Sequence, residues 1–204
     1  MKRLIATAAL ATLVSSPAFA QSYQPGPHTG LYLGAGLGQS KLDNDTLDLL
    51  SDLGASTDDT DTAYKLFVGY DFNPNFSLEA SYVDFGDFTA SGSINGEPAD
   101  GKASADGFGF ALLGRLPIQH GFGIYGKVGL IAWDGKGSGN FTTTQGNRVQ
   151  VLGSADGTDP FYGVGVEYVV NQVMVRAEYE YFDLRDQGED FTIDLISAGI
   201  GYLF

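Results

Sequence analysis

The stretch Gly199-Ile200-Gly201-Tyr202-Leu203-Phe204 decides how the rest of this sequence is read. In an extended strand, successive side chains point to opposite faces. Ile196, Ala198, Ile200, Tyr202 and Phe204 then share one face, and Ser197, Gly199, Gly201 and Leu203 share the other. Strand ends fray unless a sheet holds them, so an aromatic strand carried through to Phe204 points to a sheet that closes on itself. A barrel in a bacterial outer membrane supplies that closure. It also requires apolar residues toward lipid and aromatics at the membrane edge.

The other end agrees. Lys2 and Arg3 precede an apolar run from Leu4 to Val14, and Ala18-Phe19-Ala20 forms a small-x-small site before Gln21. That order is a secretory signal peptide, residues 1–20, with cleavage after Ala20. The run is too short to anchor the chain in a bilayer. Its removal takes away two bases and no acid, so the formal charge moves from −14 to −16, and residues 21–204 form the barrel domain. There is no cysteine, so an exported chain of this kind has no disulfide framework and must rely on its sheet. The acidic balance excludes nucleic acid as a partner, because phosphates would be repelled.

Eight segments of about ten residues alternate, the length a tilted strand needs to cross the apolar band. They lie near Leu31–Ser40, Thr62–Phe72, Phe76–Phe85, Gly107–Leu116, Phe122–Trp133, Phe161–Val170, Val173–Phe182 and Ile196–Phe204. The outward sets are apolar, as in Tyr64, Leu66, Val68, Tyr70 and Phe72. Connections alternate in length. Asn73-Pro74-Asn75, Pro117–Gly121 and Asn171-Gln172 carry turn chemistry. Lys41–Asp61, Gly86–Ser104, Asp134–Pro160 and Asp183–Asp190 are long. Short periplasmic turns and long extracellular loops are what an eight-stranded antiparallel transmembrane barrel shows. Leu47, Leu50 and Leu53 have helical spacing in the first long loop. The third, with Gly137-Ser138-Gly139-Asn140 and Thr142-Thr143-Thr144, reads as a flexible or weakly extended loop. A soluble β-sandwich or a small secreted barrel is the competing fold. The faces opposite the apolar ones carry glycines and a few charges, a poor core but a workable lumen.

Parity alone turns Glu79, Lys127, Glu167 and Arg176 inward, with Glu178, Glu180 and Arg115 on the same faces. Charges inside a narrow barrel must be paired. No catalytic residue is expected, because His28 and His120 are the only histidines and neither sits near an inward serine or acid. No cofactor and no metal site is expected either. Asp43-Asn44-Asp45 begins like a calcium loop, but its sixth and twelfth places are Asp48 and Gly54, where glycine and a bidentate acid are needed. Asp58-Asp59-Thr60-Asp61 reads as solvated acid.

From about Leu31 to Phe204 the chain resembles the transmembrane-domain family of outer membrane protein A. Gly69-Tyr70-Asp71-Phe72-Asn73-Pro74, Phe76 to Phe85, Ile124-Tyr125-Gly126-Lys127 with Trp133, and Gly165-Val166-Glu167-Tyr168 followed by Arg176-Ala177-Glu178-Tyr179 carry the resemblance. It implies a lumenal charge network of Glu79, Lys127, Glu167 and Arg176, in which Glu79 exchanges partners to open a narrow ion path. An inward lysine on the first strand is absent, as Gly34 and Gly36 hold that face. The resemblance covers the barrel without the peptidoglycan-binding domain of larger members. Gly199, Tyr202 and Phe204 resemble the signal read by the barrel assembly machinery.

The expected role is structural and surface-presenting, among outer-membrane lipids and lipopolysaccharide, with a narrow ion or small-solute pore. The alternative is an adhesin-like protein that binds a surface partner through its loops. Deleting Phe204 should impair assembly in cells more than refolding in detergent, measured as the heat-modifiable fraction in each setting. Equal effects would remove its role as an assembly signal.

Overall fold

The structure is a computed structural model that describes residues 29–43, 56–94, 97–142, 148–186 and 189–204. The signal sequence and the helical spacing around Leu50 lie outside the described residues. The strands are β1 (Gly30–Asp43), β2 (Ser56–Asp58), β3 (Thr60–Asn73), β4 (Phe76–Ile94), β5 (Glu97–Pro117), β6 (Phe122–Thr142), β7 (Arg148–Val170), β8 (Val173–Asp186) and β9 (Glu189–Leu203). Eight of them pair antiparallel in a closed ring, and β2 is a short addition to the far end of β4. β1 pairs with β9, and the Phe204 N–H donates to the Leu31 carbonyl at 2.9 Å. That seam leaves no sheet edge in hydrocarbon, where an unpaired backbone group has no water to bond.

The stagger of the ring follows from its registers. Stepping from Tyr32 through Gly69, Glu79, Ala111, Gly129, Phe161, Phe182 and Ile193 returns to β1 at Leu42, ten residues further on. Eight strands with that stagger tilt by about 41° and enclose a backbone cylinder of radius about 8 Å. Side chains nearly fill such an interior.

Alternation places the apolar set outside. Outward residues on β6 are apolar or glycine from Phe122 to Ala132, a height of about 25 Å at this tilt. Aromatics cluster at both borders, Tyr70, Phe76 and Tyr202 below, Tyr64, Phe108 and Tyr162 above. The upper border is sharp. Asp84, Asp106, Asp134 and Asp156 are successive register partners on four neighbouring strands. Their carboxylates do not belong in hydrocarbon, so the bilayer ends below them.

Turn chemistry explains the lower end. The Asn73 side chain accepts from the N–H groups of Asn75 and Phe76 at 2.8 and 2.9 Å. Asn171 turns the β7–β8 hairpin at φ 55°, a conformation asparagine tolerates.

Above the aspartate row, the long connections differ from simple loops. β4 pairs with β5 as far as Ile94 and Glu97, β5 with β6 as far as Ala99 and Phe141, and β6 with β7 as far as Thr142 and Arg148. Most of Gly86–Ser104 and Asp134–Pro160 is therefore strand, a four-stranded sheet standing roughly 20 Å beyond the row at about 3.3 Å per residue. A bulge between Asp84 and Asp87 marks where it leaves the barrel wall. Gly86 has φ +82° there and lies against Asp61 and Thr62, a place suited to glycine.

Inward glycines make room for large side chains opposite. A Cβ on Gly69 would lie 2.1 Å from the Tyr32 ring, and one on Gly34 would lie 2.2 Å from Phe67. Gly69→Ala should destabilise the refolded barrel by about 1–3 kcal/mol, read as a lower urea midpoint. Gly114→Ala faces lipid with nothing within 4 Å and should leave the midpoint unchanged.

Candidate functional site

The lumen divides into three layers. Nearest the periplasmic turns, Tyr32, Phe67, Met174 and Leu203 pack together beside a smaller cluster of polar and charged side chains. At mid-height stands a set of buried charges. Above it, apolar side chains fill the barrel, among them Phe85, Ile131, Trp133, Phe161, Phe182 and Ile193.

The charged layer is built by β3, β4, β6 and β8, because inward positions on these strands fall at one height. Arg176 on β8 grips Glu79 on β4 with two N–H groups, Nη1 to Oε2 at 2.6 Å and Nη2 to Oε1 at 3.3 Å. The Tyr32 hydroxyl donates to Glu79 Oε2 at 3.0 Å. Lys127 on β6 reaches Glu79 Oε1 at 3.3 Å, Glu180 Oε1 at 3.2 Å, and Glu178. Lys65 on β3 donates to Glu180 at 2.6 Å and to Glu178 at 3.2 Å. Three cations thus face three carboxylates, all fully enclosed. The Arg176 guanidinium also lies 3.4 Å from the Phe67 ring centroid, a cation–π contact that the dry site strengthens. The Tyr125 side chain is buried beside Glu178.

A second cluster lies toward the periplasmic turns. Arg115 on β5 pairs with Asp71 on β3 and donates to Ser77 Oγ at 2.6 Å. The Ser77 hydroxyl donates to Asp71 at 2.6 Å, and Glu167 on β7 sits 3.3 Å from Arg115 Nε. Tyr32 joins the two clusters, its hydroxyl on Glu79 and its ring 5.3 Å from the Arg115 guanidinium.

Sequence reasoning placed Glu79, Lys127, Glu167 and Arg176 in one network. The structure brings Glu79, Lys127 and Arg176 together and sets Glu167 apart. Glu167 and Arg176 are register partners, yet Arg176 turns toward Glu79 and Glu167 toward Arg115. Lys65 and Tyr32 complete the network from inward positions that the sequence pattern does not single out. Lys65 supplies the cation that the glycines of β1 do not. The apolar layer corrects the reading of the inward faces as a poor core of glycines and a few charges. Phe85, Phe161 and Phe182 lie at the upper ends of the alternating segments, and the period alone does not show that Phe161 and Phe182 are register partners or that Phe85 meets Phe182 from across the lumen. Phe161 and Phe182 stack at 5.1 Å, and Phe85 meets Phe182 edge-on at 4.8 Å. Trp133 covers this group, donating Nε1–H to Asp159 at 2.7 Å. Phe204 and Tyr202 stand exposed at the lower border with rings 5.1 Å apart, and Gly199 packs against Ala35 and Phe67. Among the described residues no three acids or histidines are grouped as a metal ion requires.

A closed antiparallel ring with a lipid-facing apolar band and a paired, charged lumen defines an integral outer-membrane β-barrel. The chain belongs to the outer membrane protein beta-barrel domain family, whose match covers residues 6–204. It is 27% identical over 143 residues to outer membrane protein A of Klebsiella pneumoniae, covering 68% of this chain and 40% of that protein. The chain therefore spans less than half the length of that relative. Among solved structures it resembles Ail, the attachment invasion locus protein of Yersinia pestis. The TM-score is 0.54 at 20% identity, with 86% of this chain and 99% of that one covered. Ail in complex with the heparin analogue sucrose octasulfate gives a TM-score of 0.51. Neisserial surface protein A gives 0.54 at 15% identity over 88% of this chain and 99% of that one. These likenesses are of fold.

Arg176→Ala should leave Glu79 with Lys127 and Tyr32 alone and cost about 3–5 kcal/mol of barrel stability. Glu167→Ala should cost less, because Asp71 still faces Arg115. Urea midpoints of the two refolded variants measure the difference, and equal midpoints would undo the assignment of Arg176 to the central set.

Proposed function

We propose that this protein is a closed, structural barrel of the outer membrane that presents an acidic β-sheet to the outside. The observation that carries the reading is the apolar layer of Phe85, Phe161 and Phe182 across the lumen above the charges. Ions avoid a dry apolar constriction. The charge set below it is neutral and internally bonded, so it stiffens the wall without needing solvent.

The outer face carries the remaining charge. Asp71, Glu79, Glu167, Glu178 and Glu180 are lumenal, and the other 20 of the 25 acids belong to the long connections or the strand ends beside them. Only Lys41, Lys102, Lys136, Arg148 and Arg185 share that side. This balance argues against a polyanion such as the heparin analogue bound by Ail, and for surface partners of opposite charge. Lipopolysaccharide would meet this face through divalent ions that offset the mutual repulsion.

A second reading, a narrow ion path, is favoured by one feature: the Glu79 carboxylate is shared between Arg176 and Lys127, with Glu178 also on Lys127. Exchange of partners there would rearrange the charged layer. Planar-bilayer conductance of the refolded protein separates the readings. Wild type and Glu79→Ala should both be silent, and Glu79→Ala combined with Phe161→Ala and Phe182→Ala should conduct. Discrete openings of the wild type that Lys127→Ala alters would establish the gated path instead.

A further inference from the structure

The protruding sheet has two lateral edges, and they are treated differently. On the β4 side, β2 pairs with Thr89–Ser91 and covers the edge. On the β7 side, pairing with β8 begins only at Phe161 and Phe182. Just above that rung the Arg185 N–H donates to Asp159 Oδ2 at 3.2 Å. Among the described residues no strand pairs with the far side of β7 from Arg148 to Thr158, eleven residues that stand above the bilayer.

The free groups on that side can be assigned. The Val169 N–H donates to Gly121 on the β6 side, and the β6–β7 register runs without a shift. Odd-numbered residues of β7 therefore bond to β6, and even-numbered ones face away, since backbone polar groups alternate along a strand. Gln150, Leu152, Ser154, Asp156 and Thr158 each offer an N–H and a carbonyl to the open edge. Pro160, which has no N–H to offer, falls on the same side where β7 parts from β8.

Natural edges of this length carry charges, prolines or covers that prevent pairing. Val149-Gln150-Val151-Leu152-Gly153-Ser154-Ala155 carries no charge and no proline. Val151 and Leu152 are 55% and 72% exposed, and they lie outside the lipid band that accounts for most of the protein's exposed apolar side chains. They sit on opposite faces of the strand, where an added strand would lay its own side chains beside them.

We propose that the open edge of β7 is a docking site for an extended, basic polypeptide segment, which adds to the sheet as a further strand. The site deepens the surface-display reading, and it is tested by binding, so it can fail while the barrel remains a silent structural one. A basic partner follows from the charge balance of the protruding strands, where Asp84, Asp87, Asp100, Asp106, Asp134 and Asp156 outnumber Lys102, Lys136 and Arg148. A second copy is a poor occupant. Two barrels upright in one membrane would bring their β7 edges together leaning in opposite directions at the strand tilt, so the edges would cross rather than pair along their length.

The test uses the refolded protein in phospholipid nanodiscs and a fluorescent octapeptide of alternating lysine, valine, threonine and valine. The peptide should bind at least ten-fold more tightly than its glutamate counterpart, more weakly as salt rises. Ser154→Pro removes one outward N–H and no bond to β6, so it should weaken binding at least ten-fold while the barrel stays heat-modifiable. Amide exchange gives an independent readout. The peptide should slow exchange at Gln150, Leu152, Ser154 and Thr158, and leave Val151 and Gly153, already bonded to β6, unchanged. Binding that ignores Ser154→Pro, or no slowing at the even-numbered amides, would overturn the proposal. So would a peptide-free dimer in which those same amides are protected.

Discussion

The structure depends on one constraint, that a sheet inside hydrocarbon must bond every backbone N–H and C=O to itself. Closure meets it, and closure by eight strands at a stagger of ten fixes a radius of about 8 Å. The interior of that cylinder must then be filled by side chains drawn from alternate positions only. Large residues on one strand require small ones across from them. Tyr32 lies over Gly69, Phe67 over Gly34, and Tyr125 over Gly165, where a Cβ would approach within 2.1 to 2.5 Å. The inward glycines are therefore the counterparts of the large residues rather than signs of an open pore.

The same confinement governs the charges. A carboxylate taken from water into this space costs several kcal/mol unless opposite charge and hydrogen bonds offset it. The central layer meets the condition with Lys65, Lys127 and Arg176 against Glu79, Glu178 and Glu180. The lower cluster, with Arg115 against Asp71 and Glu167, carries one excess acid, and Glu167 is the member with the greatest access to solvent. Neutrality at the centre and imbalance toward the open end are what desolvation requires. Excluding ions falls to the apolar layer above.

How much of this the sequence reveals follows from where hydrophobicity carries information. Within the bilayer the period of two is strict, so the eight crossings and the inward placement of Glu79, Lys127 and Arg176 can be read directly. The partner of Glu167 cannot, because it depends on which way two long side chains bend from adjacent rungs. Lys65 shares its face with Phe67 and Gly69, and nothing in that mixture singles it out before the height of each strand is known. Phe161 and Phe182 become neighbours only through the β7–β8 register. Above the aspartate row water replaces lipid on the outside, and the apolar alternation fades, with Phe88 and small residues such as Ala103 and Ala155 still packed on the inner side. Gly137-Ser138-Gly139-Asn140 therefore reads as loop while its backbone is fully paired, Gly137 opposite both Ala103 and Gly153.

That loss of pattern also marks a change in what the backbone is allowed to do. Within the lipid band an open edge would strand polar groups, and none occurs among the described residues. Above it water can bond an unpaired N–H, so β7 can leave β8 and continue as the margin of a free-standing sheet. Pro160 occupies the rung where the change is made. Its missing N–H leaves nothing unsatisfied at the border between the two media. One residue higher the chain enters a region where an edge is tolerated, and the acids of the outer face keep that region in water.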